Sequence, residues 1–257
     1  LLTVHAEDKG LLESMSEPKN PEEYLAVRPP EAEVTAVEKL VSTPPERLHI
    51  AHVTVPDTVN LAKGVATMEI TPHHLMLTRG ELDLSSFIPV CNPPIRESSG
   101  VERIQEQFNS GTIDILASDH APHEEHGKTT TDPKQGSAGI PGVETILPLS
   151  LTYARWHGLS LGFVIEKLTK RPAEIFGIER RGEIKKGSWA DLTAVDQTRK
   201  WQIKGEEFFS RAKLTPFEGF EASYKPIMTV VNGKVKFRNG EIVDESRGKF
   251  IAGGNNA

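Results

Sequence analysis

Four short runs of apolar residues in the first half of the chain have the length of buried strands, and each ends in polar side chains. They span residues 1–4, 47–53, 65–70 and 113–118. The stretches between them place apolar residues at helical spacing, as at Val34, Val37 and Leu40. Helices are predicted over 21–27, 30–40, 56–63 and 100–109. This alternation of strand and helix predicts a parallel sheet with right-handed crossovers.

The pattern changes near residue 181. Before that point, helices are predicted over 143–157, 161–168 and 173–176. After it, short β-prone runs alternate with turn signals such as Asn232-Gly233 and Asn239-Gly240, which favour hairpins. We therefore predict a catalytic barrel domain over 1–180 and a small β module over 181–257. The polar stretch 124–139 is predicted to be a mobile loop over the site.

Four parallel strands make half of a (β/α)₈ barrel, a fold that keeps its chemistry at the carboxyl ends of its strands. A closed barrel needs about four more strands, and the sequence opens inside a strand. We therefore expect an α/β protein that is the C-terminal half of a TIM-type metallo-hydrolase barrel. A small C-terminal β-sandwich module would be completed by the missing N-terminal part.

Composition narrows the classes of partner. The chain has 257 residues, of which 37% are hydrophobic and 26% charged, as in soluble globular proteins. A net charge of −6 argues against nucleic acid or an anionic membrane as the main partner. No apolar run approaches the roughly 20 residues of a membrane helix. Cys91 is the single cysteine, which excludes an intrachain disulfide, and with no visible secretory signal we expect a cytoplasmic protein.

Three strand ends carry residues with metal-ligand chemistry, namely His5, His52 and Asp119. A single histidine at a strand end is usually structural, and aspartate is a common helix N-cap. The recurrence matters, because the carboxyl ends of parallel barrel strands meet at one mouth. Two neutral imidazoles and one carboxylate suit Zn²⁺ or a similar divalent ion. The sequence therefore predicts a metal site at this mouth.

The remaining histidines are weaker candidates for metal ligands. His49 and His52 point to opposite faces of a strand, so His49 is not expected to be a ligand. His73 and His74 either support the site or pack beneath the mouth. His120 is expected to support the site, and His123, beyond the turn at Pro122, is available to an anionic substrate.

Several local motifs occur in an order that resembles one enzyme family. They are Thr-Val-His-Ala-Glu (3–7), His-Ile-Ala-His-Val (49–53), Thr-Pro-His-His-Leu (71–75), Asn-Pro-Pro-Ile-Arg (92–96), Ala-Ser-Asp-His-Ala-Pro-His (117–123), Gly-Ile-Pro-Gly-Val-Glu-Thr (139–145) and the stretch 182–192. This succession resembles the dihydroorotases of the cyclic-amidohydrolase group, over nearly the whole chain. The motif ending in His123 is the most specific element.

The resemblance implies a role for each matching residue. His5 and His52 would bind one metal ion, and Asp119 would bind another and act as the general base. The substrate would be held by Asn92 and His123, with Ala138 and Gly139 lining its ring. One or two Zn²⁺ ions per site are implied. The implied reaction is the reversible cyclisation of N-carbamoyl-L-aspartate to dihydroorotate in de novo pyrimidine synthesis.

The chain also lacks parts of the family pattern. A His-x-His pair, a bridging lysine and a substrate-binding arginine are absent from the printed sequence. We expect them on a missing N-terminal half of the same protein, without which this chain would be inactive.

Alternatives remain open. Another cyclic amidohydrolase, such as an allantoinase or dihydropyrimidinase, is one; His123 and the loop at Asn92 weigh against allantoinase. A non-catalytic scaffold for other pathway enzymes is the second, and the three retained donors weigh against it. Homo-oligomers or other pyrimidine-pathway enzymes are further possible partners.

Overall fold

The computed structural model describes residues 1–198 and 200–254. The chain divides into two compact units. One comprises Leu1–Ile146 with Lys204–Gly219, and the other Leu147–Ile203 with Phe220–Ala257. The predicted domain boundary at 180/181 is a different division of the chain and stays a prediction. Arg199 and residues 255–257 of the predicted β module lie outside the described residues.

The first unit contains a parallel sheet with strands in the order β1-β2-β3-β4. The strands are β1 (Leu2–Val4), β2 (Leu48–Ile50), β3 (Thr67–Ile70) and β4 (Ile115–Leu116). All four predicted strands are present, each shorter than predicted. Ile50, Ile70 and Ile115 are at most 2% exposed, so the sheet lies in the apolar core of this unit.

Strand β1 differs from the prediction in its burial. It was expected to be buried, yet Leu2 is 50% exposed, whereas β2 is buried throughout. Strand β1 lies at one edge of the sheet and pairs only with β2, which leaves Leu2 open to solvent there, whereas β4 at the other edge is buried. An apolar run in sequence therefore predicted the strand correctly and its burial wrongly.

Helices connect and flank these strands. They are α1 (Lys9–Ser14), α2 (Pro21–Ala26), α3 (Pro30–Ser42), α4 (Pro56–Ala62), α5 (Pro72–Met76), α6 (Ser98–Asn109) and α7 (Glu125–Thr129), with 3₁₀ turns at Arg79–Glu81 and Gly205–Glu207. Proline begins α2 to α5, where its fixed φ suits the first helical position and its missing N–H costs nothing. Helix α7 corrects the prediction that 124–139 is loop throughout, and α1 and α5 were not predicted.

The second unit begins with helical sequence and continues as an antiparallel sheet. Its helices are α8 (Ile146–Trp156), α9 (Leu161–Leu168) and α10 (Lys170–Ile175). Its strands are β5 (Leu192–Asp196), β6 (Trp201–Gln202), β7 (Glu221–Ala222), β8 (Lys225–Val231), β9 (Lys234–Arg238) and β10 (Glu241–Ile242). The main sheet has the order β10-β9-β8-β5, and β6 pairs with β7 separately.

Both predicted hairpins are confirmed. Asn232-Gly233 joins β8 to β9 and Asn239-Gly240 joins β9 to β10, and all four residues have positive φ. Two consecutive positive φ values are what a two-residue hairpin turn of matching twist requires. Among the described helices of the chain, none has both the length and the apolar content needed to cross a membrane.

Candidate active site

The backbone is unusual at two of the three predicted ligands. His52 follows β2 and Asp119 follows β4, and both have left-handed backbone angles, with φ of 35° and 42°. Histidine and aspartate are among the non-glycine residues that tolerate this region, but it still costs on the order of 1 kcal/mol or more. Such conformations cluster at functional sites. The chain turns sharply at these two positions, just beyond the sheet.

His5 and His52 lie side by side. The Nδ1 atom of His5 is 3.0 Å from the Nε2 atom of His52, and the ring centroids are 4.7 Å apart in an edge-on arrangement. The two side chains come from neighbouring strands of the sheet, 47 residues apart in sequence. His5 is 43% exposed at its side chain, whereas His52 is 5% exposed. The pair therefore reaches from the interior to an open face.

Glu7 fixes the hydrogen of His5. Its carboxylate is 2.8 Å from His5 Nε2, and it also accepts a hydrogen bond from Arg28 Nε at 3.2 Å. Burial alone would raise the pKa of Glu7, but the bonds from His5 and Arg28 outweigh it and lower the pKa. An ionised Glu7 accepts the N–H at Nε2 of His5, so Nδ1 is the ring nitrogen left to face His52. Metal-bound histidines commonly have such a carboxylate partner.

His52 is neutral and has a free ring nitrogen. Burial lowers the pKa of His52, although the Asp119 carboxylate acts in the opposite direction. Its Nδ1 is buried without a hydrogen-bond partner. The effect of Asp119 on His52 shows that this carboxylate lies within electrostatic reach of the pair. The structure thus brings His5 and His52 into direct contact and Asp119 into their surroundings.

The pair fits a divalent ion. Two nitrogens bonded to one tetrahedral zinc ion at about 2.0–2.1 Å are roughly 3.3 Å apart, and the observed separation is 3.0 Å. Two unprotonated nitrogens facing each other at this distance repel unless a cation or a proton lies between them. Neutral imidazoles with a nearby carboxylate form a donor set that zinc and similar ions accept.

A second donor cluster lies at His73, His74 and Cys91, whose ligand atoms are all within 4.8 Å of one another and which are all buried. Its hydrogens are arranged differently. His74 Nε2 lies 3.0 Å from the carbonyl oxygen of Pro93, and the Cys91 thiol donates to the same oxygen at 3.2 Å. Burial lowers the pKa of His73 to about 3 and raises the pKa of Cys91 to about 12. The donor atoms of this cluster are therefore close enough together to hold a metal ion.

His123, Ala138 and Gly139 form one wall. The Nε2 atom of His123 donates to the carbonyl of Ala138 at 2.9 Å. At Gly139, where φ is 146°, an added Cβ would lie 2.8 Å from His123 Nε2 and 2.5 Å from the Cβ of Ala121. A side chain at this position would displace His123. The structure therefore brings together three of the predicted substrate-contact residues, and it requires glycine at 139.

Asn92, the fourth predicted substrate contact, is oriented by Tyr24. Its Nδ2 donates to the Tyr24 hydroxyl at 3.1 Å, and its Oδ1 is buried without a partner. The Tyr24 ring is held edge-on against Phe87, with centroids 5.2 Å apart. The amide is thus fixed with an acceptor oxygen to spare. Sequence reasoning did not identify Tyr24, which is 68 residues away from Asn92.

Residues 7–236 match the amidohydrolase family. The chain belongs to the amidohydrolase family. Two curated relatives are the dihydroorotase of Halobacterium salinarum, 39% identical over 98% of this chain and 60% of its own length, and that of Pyrococcus furiosus, 36% identical over 98% and 58%. The chain thus spans about 60% of the length of these relatives.

Solved structures give the same fold. The L-hydantoinase (dihydropyrimidinase) from Arthrobacter aurescens superposes with a TM-score of 0.91 at 30% identity, covering 97% of this chain and 60% of that one. The dihydropyrimidinase from Brevibacillus agri superposes with a TM-score of 0.85 at 25% identity, covering 94% and 57%. This amidohydrolase therefore has the α/β fold of the hydantoinase-type barrel proteins.

Other histidines of this amidohydrolase have structural partners. His120 Nδ1 accepts hydrogen bonds from the amides of Gly142 at 3.1 Å and Val143 at 3.3 Å. His49 is buried between Thr67 Oγ1 at 2.8 Å and Glu69 Oε2 at 3.0 Å. The contacts of His120 fit the supporting role predicted for it, and those of His49 fit the prediction that it is not a ligand. The burial of His49 is explained by these two contacts without a role as a ligand.

Two residues around the site were missed by sequence reasoning. Glu7 had a usable signal, since residues two apart in an extended segment lie on one side of the chain, so a carboxylate two positions after His5 can reach it. Lys128 had none. It lies in a polar, lysine-bearing stretch that is typical of exposed loops, yet it is only 3% exposed.

Proposed function

We propose that the full-length protein is a metal-dependent dihydroorotase, and that this chain provides one side of its active site. The observation that carries the proposal is the His5–His52 pair, with two ring nitrogens 3.0 Å apart and Asp119 nearby. Two curated relatives named dihydroorotase match this chain over 98% of its length. The proposed setting is de novo pyrimidine synthesis in the cytoplasm.

The proposed metal is Zn²⁺, held by His5 and His52, with Asp119 on the same or a second ion. When bound, the metal supplies Lewis-acid polarisation of the ring carbonyl and lowers the pKa of a water towards neutrality. Glu7 keeps the His5 lone pair directed at the site because it accepts the opposite N–H. The buried, unpartnered Nδ1 of His52 is the protonated nitrogen of the neutral ring when Nε2 is a ligand.

Asp119 is the proposed proton carrier. In ring opening it accepts the proton of the attacking water and delivers it to the leaving amide nitrogen. In the reverse direction it takes the proton from the carbamoyl nitrogen as the C–N bond of the ring forms, and it returns that proton to the oxygen that leaves as water. Its strained backbone places the carboxylate beyond the end of β4, where it is half-buried and acts on His52.

The proposed substrate-binding groups are Asn92 and the wall formed by His123, Ala138 and Gly139. The spare Oδ1 of Asn92 suits an N–H of the ring. His123 has its Nε2 hydrogen fixed on the Ala138 carbonyl, so Nδ1 is the ring nitrogen left for a substrate group. Gly139 leaves open the space beside His123. Together these groups suit a small anionic cyclic amide.

The proposed architecture is the C-terminal half of a (β/α)₈ barrel followed by a β-sandwich module. The half-exposed edge strand β1 supports this, because a further parallel strand pairing there would bury Leu2. The remaining strands and the other metal ligands would come from an N-terminal segment of the same protein. That segment is the proposed first partner of this chain.

The test uses the purified full-length protein with a metal assay on the same sample. We expect bound zinc, ring opening of dihydroorotate and cyclisation of N-carbamoyl-L-aspartate, with little turnover of dihydrouracil, hydantoin or allantoin. Turnover of dihydrouracil or hydantoin without dihydroorotate would instead support the activity named for the structural relatives. A folded protein with neither metal nor turnover would support a non-catalytic scaffold.

A further inference from the structure

A buried lysine lies between the segments proposed to bind the substrate. Lys128, in the short helix α7, is 3% exposed. Its Nζ donates to the main-chain carbonyls of Gly139 at 2.7 Å, Ser137 at 2.9 Å and Val90 at 3.2 Å. An ammonium group has three N–H donors, and each of them meets a carbonyl.

The three carbonyls belong to two separate segments. Ser137 and Gly139 flank Ala138, whose own carbonyl accepts from His123. Val90 lies two residues before Asn92, and its carbonyl also accepts from the amide of Gly139 at 2.8 Å. Lys128 therefore joins the wall that carries His123 and Gly139 to the segment that carries Asn92.

The helix carrying Lys128 is packed closely against the same wall. The amide of Ser137 donates to the carbonyl of Gly127 at 2.8 Å, and a Cβ at Gly127 would lie 2.5 Å from Ser137 Oγ. Burial lowers the pKa of Lys128 to about 8, so the ammonium is retained at neutral pH. Burying a cation is costly, whereas methionine would fill similar space without that cost. The three carbonyl contacts account for a lysine here.

We propose that Lys128 is a positioning residue that sets the separation of the two substrate-binding segments, 137–139 and 90–92. The proposal rests on the proposed function for its substrate, but the three Lys128 contacts that connect the two segments do not depend on that function. Loss of the ammonium would leave the Ser137 and Gly139 carbonyls without this donor and leave the bond from the Gly139 amide to the Val90 carbonyl to hold the segments together, which allows them to separate. A displacement of about 1 Å at a binding group can cost roughly a hundredfold in rate.

The experiment is a graded series in the full-length protein: wild type, Lys128→Gln with at most two donors, and Lys128→Met with none. Lys134→Met is the control, because Lys134 lies in the same stretch but is 75% exposed at its side chain, with Glu17 as its ion-pair partner. Hydrogen–deuterium exchange is measured over 88–92 and 125–139. KM and kcat for dihydroorotate are measured on the same samples.

We expect exchange in these two segments to rise from wild type to Gln to Met, with the rest of the barrel domain unchanged. KM should rise by about tenfold or more in the Met variant, with a smaller change in kcat. The Lys134→Met control should match wild type in both measurements.

Equal exchange in wild type and both Lys128 variants would overturn the proposal, as would a fall in kcat at unchanged KM. If Lys128→Met does not fold, the comparison of Lys128→Gln with wild type decides in the same way. If the wild type is inactive on dihydroorotate, the proposed function fails. Hydrogen–deuterium exchange still tests whether Lys128 holds the two segments together.

Discussion

The two donor clusters of the first unit, His5 with His52 and His73 with His74 and Cys91, differ in where their hydrogens point. In the first cluster, Glu7 accepts a hydrogen bond from His5 Nε2, so the other ring nitrogen, Nδ1, faces His52. In the second, the Pro93 carbonyl lies within hydrogen-bond distance of both His74 Nε2 and the Cys91 thiol, so these two donor atoms carry hydrogen towards that oxygen.

Proximity of donor atoms therefore does not by itself make a metal site. The ligand atoms of the second cluster all lie within 4.8 Å of one another. Two of its donor atoms, His74 Nε2 and Cys91 Sγ, are however hydrogen-bonded to the Pro93 carbonyl, whereas His73 Nε2 is buried without a partner. A carboxylate partner prepares a histidine for a metal, whereas a carbonyl that accepts from the would-be donor atom opposes it.

The largest expected effect comes from Asp119→Asn, which keeps the size of the side chain but removes its ability to take a proton. We expect kcat for dihydroorotate ring opening to fall by about 10²- to 10⁴-fold, as general acid–base groups typically contribute. Steady-state kinetics and circular dichroism on the same preparation would measure this. Glu124→Gln, at a side chain that is 86% exposed, is the matched control. Wild-type kcat in Asp119→Asn would remove Asp119 from the chemistry.

Glu7→Gln tests what distinguishes the first cluster. Glutamine can present an NH₂ group to His5 and cannot hold the same charge beside Arg28, so the Nδ1 lone pair is no longer directed reliably. We expect metal affinity to fall by about 10- to 100-fold, the usual cost of losing such a partner. Competition titration with a chelator would measure it. A loss of affinity in Cys91→Ser but not in Glu7→Gln would reverse the comparison.

The acid stability of the metal-free protein tests the second cluster. Burial holds the pKa of His73 at about 3 in the folded state, below the usual 6.5 or so of an unfolded chain. The unfolded state therefore binds an extra proton between these values, and the free energy of unfolding falls as pH drops through this window.

His73→Gln should make that dependence shallower by about 1.4 kcal/mol per pH unit between pH 4 and pH 5.5 or so. Denaturant titrations of variant and wild type at several pH values would show it. Identical slopes would mean that His73 is protonated in the folded protein.

Cys91→Ala should have the smallest effect on the site. Since the Cys91 thiol is occupied by the Pro93 carbonyl and its pKa is raised to about 12, we expect unchanged metal content. The loss of a buried sulfur should reduce the free energy of unfolding by about 1 kcal/mol. Elemental analysis and a denaturant titration would check both. Loss of stoichiometric metal in this variant would make the second cluster a metal site.

Local signals predicted most of the regular structure. Proline at the first helical position marked α2, α3 and α4, and Asn-Gly pairs marked the hairpins at 232–233 and 239–240. Helices α1, α5 and α7 have only five or six residues. They are too short to show a helical period, so their stability comes from caps and tertiary contacts. The exposure of β1 depends on its place in the sheet, which no local pattern records.

The site divides in the same way. The proximity of His5, His52 and Asp119 was predictable because each follows a strand of one parallel sheet, and His5 does contact His52 directly; their role as ligands stays a prediction. Tyr24 and Lys128 were not predictable, because each acts through contacts set by the fold. Tyr24 reaches across 68 residues to Asn92, and Lys128 reaches across 38 to Val90.

The left-handed backbone at His52 and Asp119 has a consequence for how this protein can change over time. Glycine would relieve the torsional strain at either position, so His52→Gly or Asp119→Gly removes an unfavourable conformation while deleting a proposed ligand. Selection for thermal stability alone would therefore favour variants that lose the proposed metal ligands. The strained turns would persist only under continued selection for catalysis, which makes them a record of that selection.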